Sequence, residues 1–481
     1  LFQPETGIPL IVTYHPSWIM RGKWDKADLV TAHYKKAYRI GSGEQAAEGQ
    51  LGDYHVIQTL SDLIRLRDYL LSDEVEKIYF DTETIGPEDK RTDGTNWMRA
   101  ELLCISLAGK AGEGWVVPIL QQGGETCEWW HGLYKQVIAI LKEIFGCDKP
   151  KEGQNLLFDL AILEREADWP FIDAETAFGI KVNGYLEDTE LKHQMVAETL
   201  PHNMTSVLAM HTDMPFYEEE IHHLSQGKKR MDLVPNEITW KYSGADADGL
   251  PRIDGVLEPI IVEEGTDFVL EEIAQPLLRL CWNMQKRGVP IDIEYFGRLC
   301  QFYALQVDRV EQELYDCVPD YDWFQYDRLA TEKKRAAGKK VKDKNYDDKT
   351  PKYLYPPVLQ DLLFRHLALP VPDRKTKGGR NCEPCRLGIC FDHIETGKDA
   401  LKDIKSAMGP NAHLILDILL ELKALVKVRC TYLDGGKGGW KIHIRDDDRI
   451  HPTVQVSRVE PGRLAFKRPR IQTPPKGINI H

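Results

Sequence analysis

An apolar run that ends in two alternating acids, Lys77-Ile78-Tyr79-Phe80 followed by Asp81-Thr82-Glu83, constrains this chain more than any other stretch. Side chains on a strand alternate between faces, so Asp81 and Glu83 share one face while Phe80 and Thr82 take the other. Carboxylates side by side on a sheet resist ionisation unless positive charge lies close by. A fold that keeps this strand must bury Phe80 on one side and supply a cation on the other.

Two later stretches carry acids that fit the same requirement. Asp159 closes Asn155-Leu156-Leu157-Phe158-Asp159 and leads into the apolar Leu160-Ala161-Ile162-Leu163, which predicts a helix packed on a sheet. Tyr242 and Asp246, in Tyr242-Ser243-Gly244-Ala245-Asp246, are four apart and share one face of a predicted helix. Carboxylates prefer hard ions such as Mg²⁺ or Mn²⁺. Two such ions about 4 Å apart suit the attacking and leaving oxygens of a phosphoryl displacement.

Around these acids, from Val56 to about Leu257, strand-like runs (77–80, 102–107, 114–119) alternate with helical patterns (61–71, 132–145), which predicts an α/β domain. Asp188 is expected to cap a helix over 189–198. Beyond about Phe268 the texture becomes helical, over 268–287 with Gly288 after its end, then 293–318 and 412–430. Gly41 to Gly52 is small and polar and reads as a linker. At 481 residues the chain is too long for one core. No apolar run reaches the ~20 residues of a membrane span, and no signal peptide is expected. Ten cysteines, mostly single in apolar segments, suit a reducing compartment, and a cytoplasmic location is expected.

The net charge of −13 conceals two basic stretches. Residues 328–352 hold ten Lys or Arg against four Asp or Glu, and 458–470 hold five against one. The first is either a solvated loop or a phosphate-contacting surface.

Taken together, the acids at 81, 83, 159 and 246 with Tyr242 resemble the proofreading 3′–5′ exonucleases that use four acids and a tyrosine. The resemblance covers roughly residues 55–260 and includes Glu101–Leu107, Val116-Val117-Pro118 and Leu186–Leu191. It implies a ribonuclease H-like α/β fold, a mixed central sheet with flanking helices. It also implies two Mg²⁺ or Mn²⁺, held by Asp81, Glu83, Asp159 and Asp246. Tyr242 would orient the attacking water, and Asn155 would sit near the DNA 3′ end. Further on, Glu272–Leu277, Met284–Asp292, Leu359–Phe364 and Leu422–Lys427 resemble the thumb of family A DNA polymerases. His451-Pro452-Thr453 through Gly462-Arg463-Leu464 and Pro469–Pro475 resembles that family's primer–template segment. Arg463 would then reach the minor groove, and Lys467, Arg468 and Arg470 would face phosphates. Pro461 and Ala465-Phe466 depart from the family pattern.

Two smaller signals stand apart. Cys382-x2-Cys385-x4-Cys390-x2-His393 has the spacing of a structural zinc site, or is a loop of reduced thiols. Thr13-Tyr14-His15-Pro16-Ser17 resembles a motif of the uracil-DNA glycosylase superfamily, or leaves His15 in an ordinary loop.

The expected organisation is a glycosylase-like remnant over 1–40, a linker over 41–54 and an exonuclease domain over 55–265. A mainly helical thumb over 266–435 and the start of a palm over 436–481 complete it. The resemblance implies a phage-type family A polymerase and DNA as partner, both primer 3′ end and primer–template duplex, with a processivity factor as a further possible partner. The chain opens at Leu1 without an initiator Met and shows no palm aspartates, so a piece of a longer protein that does not itself polymerise is expected. The alternatives are a stand-alone exonuclease of DNA or RNA, resembling ribonuclease D, and a non-catalytic DNA-binding scaffold.

Overall fold

In the computed structural model, the described residues are 13–20, 27–43, 49–172, 176–325, 353–374, 390–436, 439–459 and 462–472, with a few isolated positions between. Cys382 and Cys385, the run over 8–12 and nearly all of the basic stretch 328–352 lie outside them. The chain divides into two compact units, Leu1–Val289 with Arg445–Gln472, and Pro290–Ile444 with Thr473–His481.

The first unit is built on a six-stranded sheet of β1 (Asp53–Val56), β2 (Ile78–Ile85), β3 (Glu101–Ala108), β4 (Glu113–Pro118), β5 (Lys151–Gly153) and β6 (Leu186–Asp188). Their order is β1-β4-β3-β2-β5-β6. β3 runs antiparallel to both β2 and β4, whereas the β1–β4, β2–β5 and β5–β6 pairs are parallel, so the sheet is mixed as expected. The acid-ended strand β2 is central. Helices α1 (Ala27–Ser42), α2 (Leu60–Leu71), α3 (Tyr134–Gly146), α4 (Leu157–Leu163), α5 (Thr189–Val196), α6 (Met204–His211), α7 (Glu219–Leu224), α8 (Asn236–Glu264) and α9 (Pro276–Arg287) complete the unit.

The two faces of β2 separate as the alternation requires. Phe80 is fully buried against Phe145 of α3, ring centroids 5.0 Å apart and edge-on. The other face takes the 29-residue helix α8. That helix lies so close to β4 that a Cβ on Gly114 would come 2.4 Å from the Gly244 carbonyl oxygen, and one on Gly244 would come 3.0 Å from the Tyr54 ring. Gly114 has no room for a side chain and Gly244 has room for one only if the Tyr54 ring shifts, and this contact sets the depth of Tyr242 and Asp246 over the sheet.

One end of the sheet is held by a buried ionic network. Lys77 Nζ lies 2.8 Å from Asp254, 2.7 Å from Glu187 and 3.1 Å from Glu152. Lys192 Nζ, on α5, lies 2.8 Å from Glu152 and 2.5 Å from Glu187 and also bonds Asp254. Burial alone would discharge both ammonium groups, but the surrounding carboxylates hold their pKa values far above the ordinary lysine value.

The segment 27–42 is not a free appendage. Lys36 bonds the carbonyls of Ala209 and Thr212, and Arg39 that of Met210 at 2.9 Å, so α1 supplies cations to the open C-terminal carbonyls of α6. At the other end, α9 lies within the first unit, although the sequence texture changes near 266. Its Trp282 Nε1 donates to Glu164 at 2.6 Å, and its Arg279 pairs with the same carboxylate at 2.7 Å. Residues 445–472 return to this unit through an antiparallel pair, β7 (Thr453–Gln455) and β8 (Ala465–Lys467), with Val454 N donating to Gln285 at 2.9 Å.

The second unit is helical. Its core lies between α10 (Ile293–Cys317), α11 (Lys398–Met408) and α12 (Ile415–Tyr432), where Val310, Leu314, Ile404, Leu416, Leu419 and Leu422 are buried. Asp292 caps α10 by accepting from Tyr295 N at 2.9 Å.

Removing one cation from a buried network strands the carboxylates it balances, at a cost of about 3–5 kcal/mol. Lys192→Met is therefore expected to lower unfolding stability by about that amount in denaturant titrations, and a loss under ~1 kcal/mol would contradict the network's role.

Candidate active site

The candidate site forms where α8 crosses β2. One oxygen from each of Asp81, Glu83 and Asp246 lies within 4.8 Å of the others. Asp81 and Glu83 are half-buried, and Asp246 is buried. Burial first, and then the neighbouring negative charges, push the Asp81 and Glu83 pKa values up. Asp246 is also raised by burial, with Lys228 and two tyrosine hydroxyls opposing the shift. Such a trio gains by taking a proton or a cation.

Asp159 reaches the site from α4 but is not one of the three. The parallel pairing of β5 with β2 ends at Tyr79↔Glu152. Beyond it, Asp159 Oδ1 accepts from Thr82 N at 3.1 Å and also from the Thr82 hydroxyl. The buried Asp159 carboxylate feels burial as the main cause of its raised pKa, which the two Thr82 hydrogen bonds oppose.

Tyr242 stands one helical turn before Asp246 and is buried. Its hydroxyl accepts from Lys228 Nζ at 2.6 Å, and that ammonium also bonds Glu218 at 2.7 Å. A second phenol, Tyr217, donates to Asp246 Oδ1 at 2.5 Å, with its ring centroid 5.8 Å from that of Tyr242. Tyr217, Glu218 and Lys228 carry no sequence signature, because they sit in an irregular stretch with no periodicity and no motif.

Asp188 caps α5 as expected, accepting from Glu190 N at 2.9 Å. The same carboxylate accepts from Asn155 N at 3.1 Å and Leu156 N at 2.8 Å. Asn155 has φ +58°, a left-handed conformation that asparagine tolerates better than most residues, and Asp188 locks that turn just before α4. The double role could be found only in three dimensions.

The basic residues nominated for DNA divide. Lys467 lines a pocket together with Asn155, Phe158, Trp97 and Thr453, so two of the residues expected to meet DNA line one cavity. Arg468 bonds Thr95 Oγ1 at 3.0 Å and approaches Asp93 at 3.8 Å. Arg463 and Arg470 are exposed. His15 is exposed as well, its Nδ1 accepting from Ser17 N at 3.1 Å beside the short helix Pro16–Ile19. Cys390 Sγ lies 3.4 Å from His393 Nδ1, while the two remaining nominated cysteines fall outside the described residues.

A protein-family model described as a 3′–5′ exonuclease matches residues 54–261, which contain all of these acids and both tyrosines. This segment is a 3′–5′ exonuclease domain. Over most of its length the chain is similar to DNA polymerase I of Rhizobium leguminosarum, 24% identical over 443 residues that cover 88% of this chain and 36% of that protein. DNA polymerase I of Borreliella burgdorferi is 21% identical over 485 residues, covering 99% of this chain and 43% of that protein. The chain therefore spans less than half the length of these curated relatives. Among solved structures, the polymerase domain of Pol1 from M. smegmatis, in complex with DNA primer-template and dNTP, superposes with a TM-score of 0.53 at 16% identity, covering 88% of this chain and 56% of that one. That likeness concerns the fold, an exonuclease-type α/β unit with a helical polymerase-type region.

Exonuclease chemistry of this kind uses divalent metal, and the residues present fit one. Three convergent carboxylate oxygens form a hard donor set. The second carboxylate trio, Glu152, Glu187 and Asp254, is equally close-set, but Lys77 and Lys192 each already pair with all three of its carboxylates. Among the described residues, no lysine or arginine forms a salt bridge with the Asp81 trio, and Lys228 offsets its charge only in part.

Proposed function

We propose that this chain carries the editing activity of a family A DNA polymerase, hydrolysing the 3′-terminal phosphodiester of a single strand frayed from a primer. The observation that supports this most is the convergence of Asp81, Glu83 and Asp246 beneath Tyr242, with no lysine among the described residues closing the trio. Asp81, Glu83 and Asp246 would hold the first Mg²⁺ or Mn²⁺, and Asp81 with Asp159 would serve a second. Such ions supply positive charge for the phosphodiester oxygens and acidify water. Tyr242, held by Lys228, orients the attacking water through its hydroxyl. Thr82 keeps Asp159 in one rotamer, and the Asp188-locked turn presents Asn155 to the terminal nucleotide.

The cavity lined by Asn155, Phe158 and Lys467 offers an apolar ring and a cation, which suits a base and its phosphate. Arg463 and Arg470, exposed on either side of β8 in the sequence, are proposed contacts to primer–template phosphates. DNA as substrate and a cytoplasmic location follow from the same reading. An RNA-trimming enzyme resembling ribonuclease D is the alternative, and the thumb-like second unit speaks against it. Cys382, Cys385, Cys390 and His393 are proposed as ligands of one structural zinc, with Cys390 and His393 already adjacent. Glycosylase chemistry at His15 is not proposed, since its ring is engaged with Ser17.

Two measurements test these assignments. Elemental analysis of the purified protein is expected to find zinc at about one per chain, and a Cys390→Ser variant should lose it. In Mg²⁺, the parent should trim a mismatched DNA primer faster than RNA of the same sequence. Asp81→Ala should slow that trimming by at least roughly a hundredfold, the scale expected when a main electrostatic group is lost. Trimming at the parental rate would remove the catalytic assignment.

A further inference from the structure

The turn between α7 and α8 is held in an uncommon backbone conformation. Gln226, Gly227 and Lys228 have φ of +53°, +74° and +61° in succession, a left-handed run that the side chains of Gln226 and Lys228 disfavour. Such backbone persists when its surroundings over-determine it. Here Ser225 does so. Its Oγ donates to Ile221 O at 2.6 Å and accepts from Lys228 N at 2.8 Å. Its carbonyl accepts from Lys229 N at 3.0 Å and Arg230 N at 2.9 Å. The result is to turn the Lys228 side chain back onto the acid site.

Its ammonium then meets two oxygens, Tyr242 OH at 2.6 Å and Glu218 Oε1 at 2.7 Å, and lies 4.8 Å from the Tyr242 ring centroid. Glu218 is itself fixed by the Thr205 hydroxyl at 2.5 Å. An ammonium has donors and no acceptor. Its bond to Tyr242 must therefore use a lone pair of the phenol, which leaves the phenol proton free to be donated on the Asp246 side. The hydroxyl is thus polarised in one direction, from Lys228 through Tyr242 towards the carboxylates. The ammonium also balances part of the Asp246 and Glu83 charge, while its side chain keeps about 39% of its surface exposed and so has room to move.

We propose that Lys228 is a positioning residue for the hydrolysis, fixing Tyr242 as a hydrogen-bond donor towards the reacting oxygen and acting as counter-charge of Asp246 and Glu83 when no divalent cation is bound. This inference rests on the hydrolytic reading of the site given above. The two roles act in opposite directions on two observables. As a neighbouring cation Lys228 opposes entry of a metal, and as the partner of Tyr242 it assists the reaction.

The test uses Lys228→Met, Lys228→Gln and Lys228→Arg in the full chain, with thermal melting to confirm that each variant is folded. Titration calorimetry without DNA is expected to show Mn²⁺ bound roughly fivefold more tightly by Lys228→Met and Lys228→Gln, as loss of one nearby positive charge requires. Single-strand trimming should show kcat lowered on the order of a hundredfold with KM nearly unchanged, and Lys228→Arg should recover much of the rate. Weaker Mn²⁺ binding by Lys228→Met and Lys228→Gln, or an undiminished kcat, would overturn the proposal. An Asp81→Ala control separates the two claims. If that variant stays active, the hydrolytic reading itself has failed, and the role assigned to Lys228 falls with it.

Discussion

Unbalanced negative charge on one face of a central strand is the constraint on which this structure turns. Among its described residues the first unit contains two close-set carboxylate trios, and it treats them in opposite ways. Glu152, Glu187 and Asp254 receive two lysine ammonium groups and become a clamp between β5, β6, α5 and α8. Among the described residues, Asp81, Glu83 and Asp246 receive none directly. The nearby cation Lys228 is engaged with Tyr242 and Glu218. The folded chain therefore keeps, at one point, negative charge that Lys228 offsets only in part, the condition under which an incoming cation would be favoured.

The architecture sets up that difference. Helix α8 reaches both trios, with Asp246 at one end of the contact and Asp254 two turns later. Gly114 and Gly244 fix how deeply it lies on the sheet, and so how near Asp246 comes to β2. Asp159 enters from α4, where β5 has stopped pairing and the Thr82 N–H needs an acceptor. Each acid is thus placed by a different local cause, and the cluster is the sum of them.

Much of this was legible in the sequence. The alternation of Phe80, Asp81, Thr82 and Glu83 carried the strand and its two faces, and the helical spacing of Tyr242 and Asp246 carried the second element. Asp188 as a cap was readable from its place before a helix. What stayed hidden depends on contacts between distant, patternless segments. Tyr217, Glu218 and Lys228 come from a stretch without periodicity. The lysines of the buried clamp carried no signal of their own, because a lysine's burial is decided by partners far along the chain. The change to helical texture near 266 suggested a boundary there, yet Trp282 and Arg279 bond Glu164 and carry α9 into the first unit.

The most direct test is anomalous diffraction from crystals of the protein grown with Mn²⁺. A peak at bonding distance, roughly 2.0–2.6 Å, from oxygens of Asp81, Glu83 and Asp246 is expected, with none at Glu152, Glu187 and Asp254. A peak at the lysine-filled trio, or no peak at the Asp81 trio, would contradict the account.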